Sequence, residues 1–226
     1  MNKHIIGFSG AVASIALAGT ALGGLNGLSY DLHGQGLVDG TYTVRLYAEV
    51  DAGDRLDAVY GNANSDFMIT MNEGASTYQN TTYGGVTSQS INSAFYPIVP
   101  SLEWDSYVTI GCLHSDGYPF SGNALQDIGI DWAGFEAGGD VSSSNGTWFV
   151  TPADEQGEEQ GGRVLIAQFT IYAGTGQYDM YFTAGFQGKN ADNQTWSGEA
   201  EIYIPAPGAL ALLGLAGLAG SRRRRG

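Results

Sequence analysis

Short segments in which apolar and polar residues alternate dominate the middle of this chain. In the segment TYTVRLYAEV, residues 41–50, Tyr42 and Val44 fall on one face while Arg45 and Tyr47 fall on the other. Successive side chains of a β-strand point to opposite faces of the sheet, so this pattern predicts a half-buried strand. An amphipathic helix would instead repeat its apolar residues every three or four positions.

Eight further segments carry a similar strand pattern, and Gly, Asn and Asp residues separate nearly all of them. They are 57–62, 66–71, 106–111, 127–132, 146–151, 163–172, 178–186 and 197–204. Nine short strands with turn-rich gaps predict an all-β fold, an antiparallel β-sandwich of jelly-roll or immunoglobulin-like type. Segments 72–92 and 152–162 are predicted loops, and the second is acidic, without apolar anchors and therefore expected to be mobile.

The last 22 residues follow a different pattern from the predicted strands. Pro205, Ala206 and Pro207 precede an apolar stretch of Gly, Ala and Leu over residues 208–220. The tail then ends with a basic cluster: Arg222, Arg223, Arg224 and Arg225. A helix over 208–220 would measure about 20 Å, shorter than the roughly 30 Å of a hydrocarbon core. The arginines predict that the chain's end stays cytoplasmic while everything before Pro205 is exported.

This combination of Pro-x-Pro motif, short apolar segment and arginine cluster resembles the PEP-CTERM sorting signal of exosortase-bearing bacteria. The resemblance is confined to residues 205–226, and Ala206 stands where glutamate is common in that signal. It implies an exosortase-type membrane enzyme as partner, which would process the tail near Pro205 and Pro207. It also implies a protein held transiently in the inner membrane and then delivered to the cell surface, often in bacteria that make exopolysaccharide. The alternatives are a tail that is kept as an anchor and a terminal core helix.

The first 23 residues are predicted to form a secretory signal peptide. Lys3 supplies a positive start, residues 5–18 are apolar, and Ala21 and Gly23 place small residues at positions −3 and −1 of a cleavage site. The secretion machinery is therefore an expected partner, and the cell surface or extracellular space is the expected destination. The resulting domain plan is a signal peptide over 1–23, a β-sandwich over 24–204 and a sorting tail over 205–226.

The predicted sandwich is strongly acidic. It keeps four basic side chains against all 23 Asp and Glu of the chain, which gives a formal charge of −19. The four are Arg45, Arg55, Arg163 and Lys189. This charge excludes nucleic acid as a partner, because binding to phosphates requires a basic surface. It also predicts that stability rises with salt, because screening weakens the repulsion between like charges.

No motif for catalysis is found in the sequence, and no catalytic residue is assigned. His33 and His114 lie far apart, and together with the lone Cys112 they form no triad or zinc-ligand pattern. Cys112 is predicted to be a small buried hydrophobic residue that forms no internal disulfide. No cofactor is predicted apart from calcium.

Two groups of residues are candidates for ligand binding. Asp51, Asp54 and Asp57 lie in one turn, DAGDRLD, which offers oxygen ligands for calcium or is simply a solvated acidic turn. Trp104 and Trp132 are candidates for stacking on sugar rings, against the alternative that they pack in or beside the core.

The sequence thus predicts a non-catalytic structural or adhesive protein of the cell surface or extracellular matrix, with polysaccharide or other surface proteins as partners. The first alternative is a carbohydrate-binding module. The second is a small glycan-active enzyme that uses a pair of carboxylates near the tryptophans. The carboxylates considered for that role are Glu103, Asp105, Asp131 and Glu136.

Overall fold

The computed structural model describes residues 24–207, which form two antiparallel β-sheets packed into a sandwich, as predicted. The predicted signal peptide with Ala21 and Gly23, and the tail beyond Pro207 with its four arginines, lie outside the described residues. The strands are β1 (Leu25–Gln35), β2 (Thr41–Val50), β3 (Arg55–Tyr60), β4 (Phe67–Met71), β5 (Ser76–Thr77), β6 (Tyr107–Val108), β7 (Gln126–Ile128), β8 (Val141–Ser143), β9 (Thr147–Phe149), β10 (Arg163–Tyr172), β11 (Tyr178–Lys189) and β12 (Thr195–Pro205). A helix of one turn, α1 (Ala133–Glu136), and four short 3-10 helices (Ser88–Ser90, Ser93–Phe95, Pro100–Trp104 and Glu155–Gly157) accompany them.

The first sheet has the order β1-β2-β10, and the short strands β5 and β6 both pair with the far edge of β10. In the second sheet, β12 pairs with one edge of β11, and β3 and β4 share the other edge. Strand β9 then follows β3, β8 follows β4, and β7 pairs with β9. Strands β1 and β12 thus each lie at an edge of their sheet.

The longest alternating segments have the strand boundaries that the sequence predicts. Strands β2 and β10 span 41–50 and 163–172, whereas the predicted strand at 106–111 is reduced to the two residues of β6. Strand β1 is not predicted, because register shifts between Leu25 and Gly27 and between Leu32 and Gly34 interrupt its alternation. The two-residue β5 and three-residue β8 are too short to show a period.

The core lies between the sheets and consists of the inward-facing residues of both. Val44 and Leu46 of β2 and Phe169 of β10 face Phe182 and Phe186 of β11, and all are buried. Trp148 of β9 is the largest fully buried side chain, and its indole N–H donates a 3.1 Å hydrogen bond to the carbonyl of Thr109. This bond satisfies the one polar atom that the indole brings into the core.

The long connection 78–125 covers part of the outer face of the first sheet. It carries a second small apolar cluster of Ile91, Leu102 and Tyr107. Beneath it, polar residues of the outer face are buried, including Gln168, whose side-chain amide donates to the carbonyls of Glu103 and Asp105. Some residues on the outer face of β2 and β10 are therefore buried under the connection. The alternating sequence pattern alone does not predict this burial.

The acidic loop 152–162 is held by a polar side chain. Gln156 is fully buried; its amide donates to the carbonyl of Ile110 at 2.7 Å and accepts from the N–H of Ala124 at 2.6 Å. Arg55 adds a 2.7 Å bond to the carbonyl of Asp154. The loop is therefore anchored to the domain, and its anchor is a buried amide rather than an apolar residue.

Candidate functional site

The Pro-x-Pro motif begins at the very end of the sandwich. Pro205 is the last residue of β12 and lies opposite Tyr178 of β11. Proline is tolerated there because an edge strand has an unpaired side. The N–H of Ala206 donates to the carbonyl of Gln177 at 3.3 Å, and Pro207 is half-buried. The Pro-x-Pro motif is thus attached to the end of the β11–β12 pair, with Ala206 buried.

The three aspartates of the calcium hypothesis are each engaged by a different partner. Asp57 accepts from the guanidinium of Arg55 at 2.6 Å, and Asp54 accepts from the N–H of Ala191 at 3.1 Å. Asp51 accepts from the side-chain amide of an asparagine in β1, Asn26. Across residues 24–207, no group of three or more His, Cys, Asp or Glu side chains is arranged to hold a metal ion. The calcium site stays a prediction, and a calcium titration of thermal stability tests it.

The two tryptophans considered for sugar stacking are both half-buried and occupy separate places. The ring of Trp104 lies 5.4 Å from that of His33. Trp132 packs against Phe67 and Trp148, and its indole N–H donates to Asp127 at 2.9 Å. Trp132 therefore forms the rim of the core, and the structure does not bring it together with Trp104.

Two of the groups considered for chemistry are buried in the fold. Cys112 is buried as predicted, and burial raises the pKa of its thiol to about 12, which keeps it protonated. Asp105 is fully buried, and its carboxylate accepts the main-chain N–H groups of Asn80, Ser106 and Gly85. Burial raises the pKa of Asp105 to about 6, against the opposing effect of these hydrogen bonds. Asp105 therefore supports the loop around it and is out of reach of a substrate.

A tyrosine cluster at the surface of the second sheet, with Tyr203 exposed and its two neighbours half-buried, is not predicted from the sequence. Tyr203 of β12 lies with its ring 4.8 Å from Tyr181 and 4.9 Å from Tyr178, both of β11. The hydroxyl of Tyr181 donates to Glu201 at 2.5 Å, and both residues line an open acidic trough of 660 Å³. The alternation in β11 and β12 predicts which residues face outward. That the tyrosines contact one another depends on the register in which the two strands pair.

A narrower groove of 280 Å³ lies on the outer face of the first sheet. We call it the Arg45 groove; its lining includes Arg45, Tyr47, Leu113, Tyr118, Pro119, Glu158, Arg163 and Leu165. The sequence pattern places Arg45 and Tyr47 on one face of β2, but Leu113 and Tyr118 come from the long connection. The site is therefore assembled from distant parts of the chain.

Comparisons with known proteins identify no family. No protein-family model and no curated protein matches the sequence. Among solved structures, the chain is similar to a crystal structure of BcpA, the major pilin subunit of Bacillus cereus, at 10% sequence identity and a TM-score of 0.28. That match covers 74% of this chain and 34% of the pilin chain. Within residues 24–207, no helix has the length and apolar character needed to cross a bilayer.

Proposed function

We propose that this protein is an exported, non-catalytic structural or adhesive component of the bacterial cell surface or extracellular matrix, processed through its C-terminal tail. One observation carries the proposal: the Pro-x-Pro motif begins with Pro205, the final residue of the last strand of the sandwich. Among residues 24–207, the last strand ends at Pro205, so a cut after Pro207 would divide none of the twelve strands. A cleavage point outside the strands is what a processing signal requires.

The charge of the sandwich supports the same proposal. A formal charge of −19 keeps the protein soluble outside the cell and repels nucleic acid and bare anionic lipid. Cys112 is the single cysteine and forms no disulfide, so the sandwich is held by its core. A non-catalytic role is supported by the burial of Cys112 and Asp105, which withdraws two reactive groups from solvent.

The first test is the intact mass of the protein recovered from its native cell envelope, with both termini sequenced. We expect a start near Gly24 and an end near Pro205–Pro207. Two variants sharpen the test: replacing the four tail arginines by serine and replacing Pro205 and Pro207 by alanine should each leave an unprocessed chain in the membrane. Lys189→Gln, which removes a positive charge from the sandwich, should be processed normally. Mature protein that still carries the arginines would overturn the proposal.

Carbohydrate binding is the second candidate function, and the tyrosine cluster favours it. Tyr203 is 43% exposed and shares a surface with Tyr178 and Tyr181. Exposed aromatic rings offer flat apolar faces against which the C–H groups of a sugar ring can pack. If this function is correct, Tyr203→Ala should reduce retention on insoluble polysaccharide while Tyr172→Ala, at another exposed tyrosine, should not. Equal retention of both variants would remove this candidate.

A further inference from the structure

We propose that the Arg45 groove is a binding site for an acidic saccharide, in which Arg45 pairs with the sugar carboxylate and Tyr118 packs against the sugar ring. The binding itself is independent of how the protein is sorted. Its biological meaning, attachment to an acidic polysaccharide outside the cell, rests on the proposed function.

Arg45 is a cation without a carboxylate partner in a domain rich in carboxylates. Arg55 and Arg163 form ion pairs with Asp57 and Asp31, whereas Arg45 makes no salt bridge to any described residue. The Nε–H of Arg45 donates a 3.1 Å hydrogen bond to the neutral side-chain oxygen of Gln168. A guanidinium has five N–H donors, so the groups on its two terminal nitrogens stay available for a ligand.

The geometry of the sheet explains why Arg45 is left unpaired. Asp31 of β1 lies directly opposite Arg45 in the β1–β2 ladder. Its carboxylate nevertheless accepts a 2.6 Å bond from Arg163 of β10, whose guanidinium lies 3.9 Å above the ring centre of Tyr47. Arg163 thus reaches across β2 and pairs with the carboxylate that lies opposite Arg45. The cation–π contact holds Arg163 in that position, because the ring face attracts the charge.

Arg45 is also held in place before a ligand arrives. Its partner Gln168 is fully buried and donates to the carbonyls of Glu103 and Asp105, at 3.0 and 3.1 Å. The guanidinium is therefore anchored through Nε to a fixed amide. A planar guanidinium oriented in this way is suited to binding a carboxylate through two parallel hydrogen bonds.

The remaining walls of the groove suit a ring rather than a bare anion. Tyr118 is 59% exposed, and His114 stacks on its ring at 5.6 Å with an interplanar angle of 14°. Leu113 and Leu165 add apolar surface to the groove. The volume of 280 Å³ lies just below the range of roughly 300–1,000 Å³ typical of small-molecule sites. Glu158 in the lining disfavours a second negative charge, so one carboxylate on one sugar unit fits best.

The experiment uses the full chain in a mild non-ionic detergent and measures calorimetric binding of trigalacturonic acid and of its methyl ester. The ester keeps the sugar rings and removes the charge. We expect the acid to bind and the ester to bind at least about tenfold more weakly, because it lacks the charge-assisted hydrogen bonds. Arg45→Gln should weaken binding of the acid to the level of the ester, and Lys189→Gln, which makes the same charge change on β11, should not.

Three further measurements separate a saccharide site from simpler explanations. Tyr118→Ala should weaken binding of both the acid and the ester, whereas Tyr118→Phe should preserve both. Arg45→Lys keeps the positive charge but loses the planar guanidinium, so it should also weaken binding of the acid. It replaces Arg45→Gln as the test variant if Arg45→Gln does not unfold cooperatively.

Acetate should displace the acid only at far higher concentration than galacturonate does. If acetate and galacturonate compete equally, the site recognises only a carboxylate and the assignment to a saccharide is wrong.

Absence of binding at millimolar trigalacturonate, or equal binding of acid and ester, would overturn the proposal. So would native affinity in Arg45→Gln. None of these outcomes bears on tail processing, which is read from the termini of the protein. A protein that binds the acid but keeps its tail would leave this proposal standing and remove the proposed sorting.

Discussion

The hydroxyl of Tyr42 donates a 2.8 Å hydrogen bond to the carboxylate of Asp179 and thereby joins the two sheets. Tyr42 lies in β2 and Asp179 in β11, and both are buried. The second oxygen of Asp179 accepts from the N–H of Gly174 at 3.0 Å. Burial and the neighbouring Asp179 both raise the pKa of Tyr42 above its ordinary value, so the hydroxyl is a donor at neutral pH.

Tyr42→Phe is expected to destabilise the sandwich, because it leaves an oxygen of the buried Asp179 without its donor. The expected loss in free energy of unfolding is about 1–3 kcal/mol, measured by urea denaturation at neutral pH. Tyr30→Phe is the matched control: Tyr30 is also buried, but its hydroxyl has no hydrogen-bond partner among the described residues. We expect the control to stay within about 0.5 kcal/mol of the native protein. Equal losses in both variants would show that the inter-sheet bond contributes nothing.

Asp105 is expected to make stability depend on pH between about 4 and 6. Its pKa rises from 3.8 to about 6 on folding, chiefly because of burial. As pH increases through this window, the unfolded chain releases the proton first, so the free energy of unfolding decreases. A shift of this size corresponds to roughly 3 kcal/mol.

Asp105→Asn should remove that decrease, as seen by urea denaturation at several pH values. The variant also replaces one acceptor oxygen by an amide beside the N–H of Gly85, so the slope with pH is the diagnostic quantity rather than stability at one pH. Asp39→Asn, at an exposed position, should keep the native slope. A native slope in Asp105→Asn as well would show that the buried carboxyl does not cause the pH dependence.

Gln156→Ala should release the acidic loop 152–162 from the domain. The carbonyl of Ile110 and the N–H of Ala124 would lose their partner, at a cost of about 2–4 kcal/mol in free energy of unfolding. Limited proteolysis should then cut within the loop faster than in the native protein. Gln160→Ala, at an exposed position of the same loop, should leave both stability and cleavage rate unchanged. An intact loop in Gln156→Ala would mean that its other contacts, such as those of Arg55 with Asp154 and of Ser121 with Glu155, are enough to hold it.

Salt should stabilise this protein. The four basic side chains among 23 acidic ones leave strong self-repulsion, and the screening length falls from about 10 Å at 0.1 M to about 3 Å at 1 M. We expect the melting temperature to rise with sodium chloride and then level off. Asp66→Asn combined with Glu199→Gln removes two exposed charges from the acidic trough and should raise the melting temperature mainly at low salt. A salt-independent melting temperature would contradict the electrostatic explanation.

Three properties can be predicted from local sequence and composition: the fold class, the limits of β2 and β10, and the acidic character of the domain. These properties are local or additive: a period of two requires only the order of neighbouring residues, and net charge requires only their number. The same alternation placed Arg45 and Tyr47 together on the outward side of β2. It failed for β1, where bulges break the period.

The contacts of the outward-facing residues depend on how distant parts of the chain pack together. The connection 78–125 folds over the first sheet, buries Gln168 and Asp105, and brings Tyr118 to the groove that Arg45 lines. Likewise, Trp132 packs beside the core and the three aspartates of one turn bind separate partners. The alternation of apolar and polar residues predicts the face of the strand on which a residue lies. Its environment is set by contacts between residues far apart in the chain, and those exist only once the sheets have paired and the connection has packed.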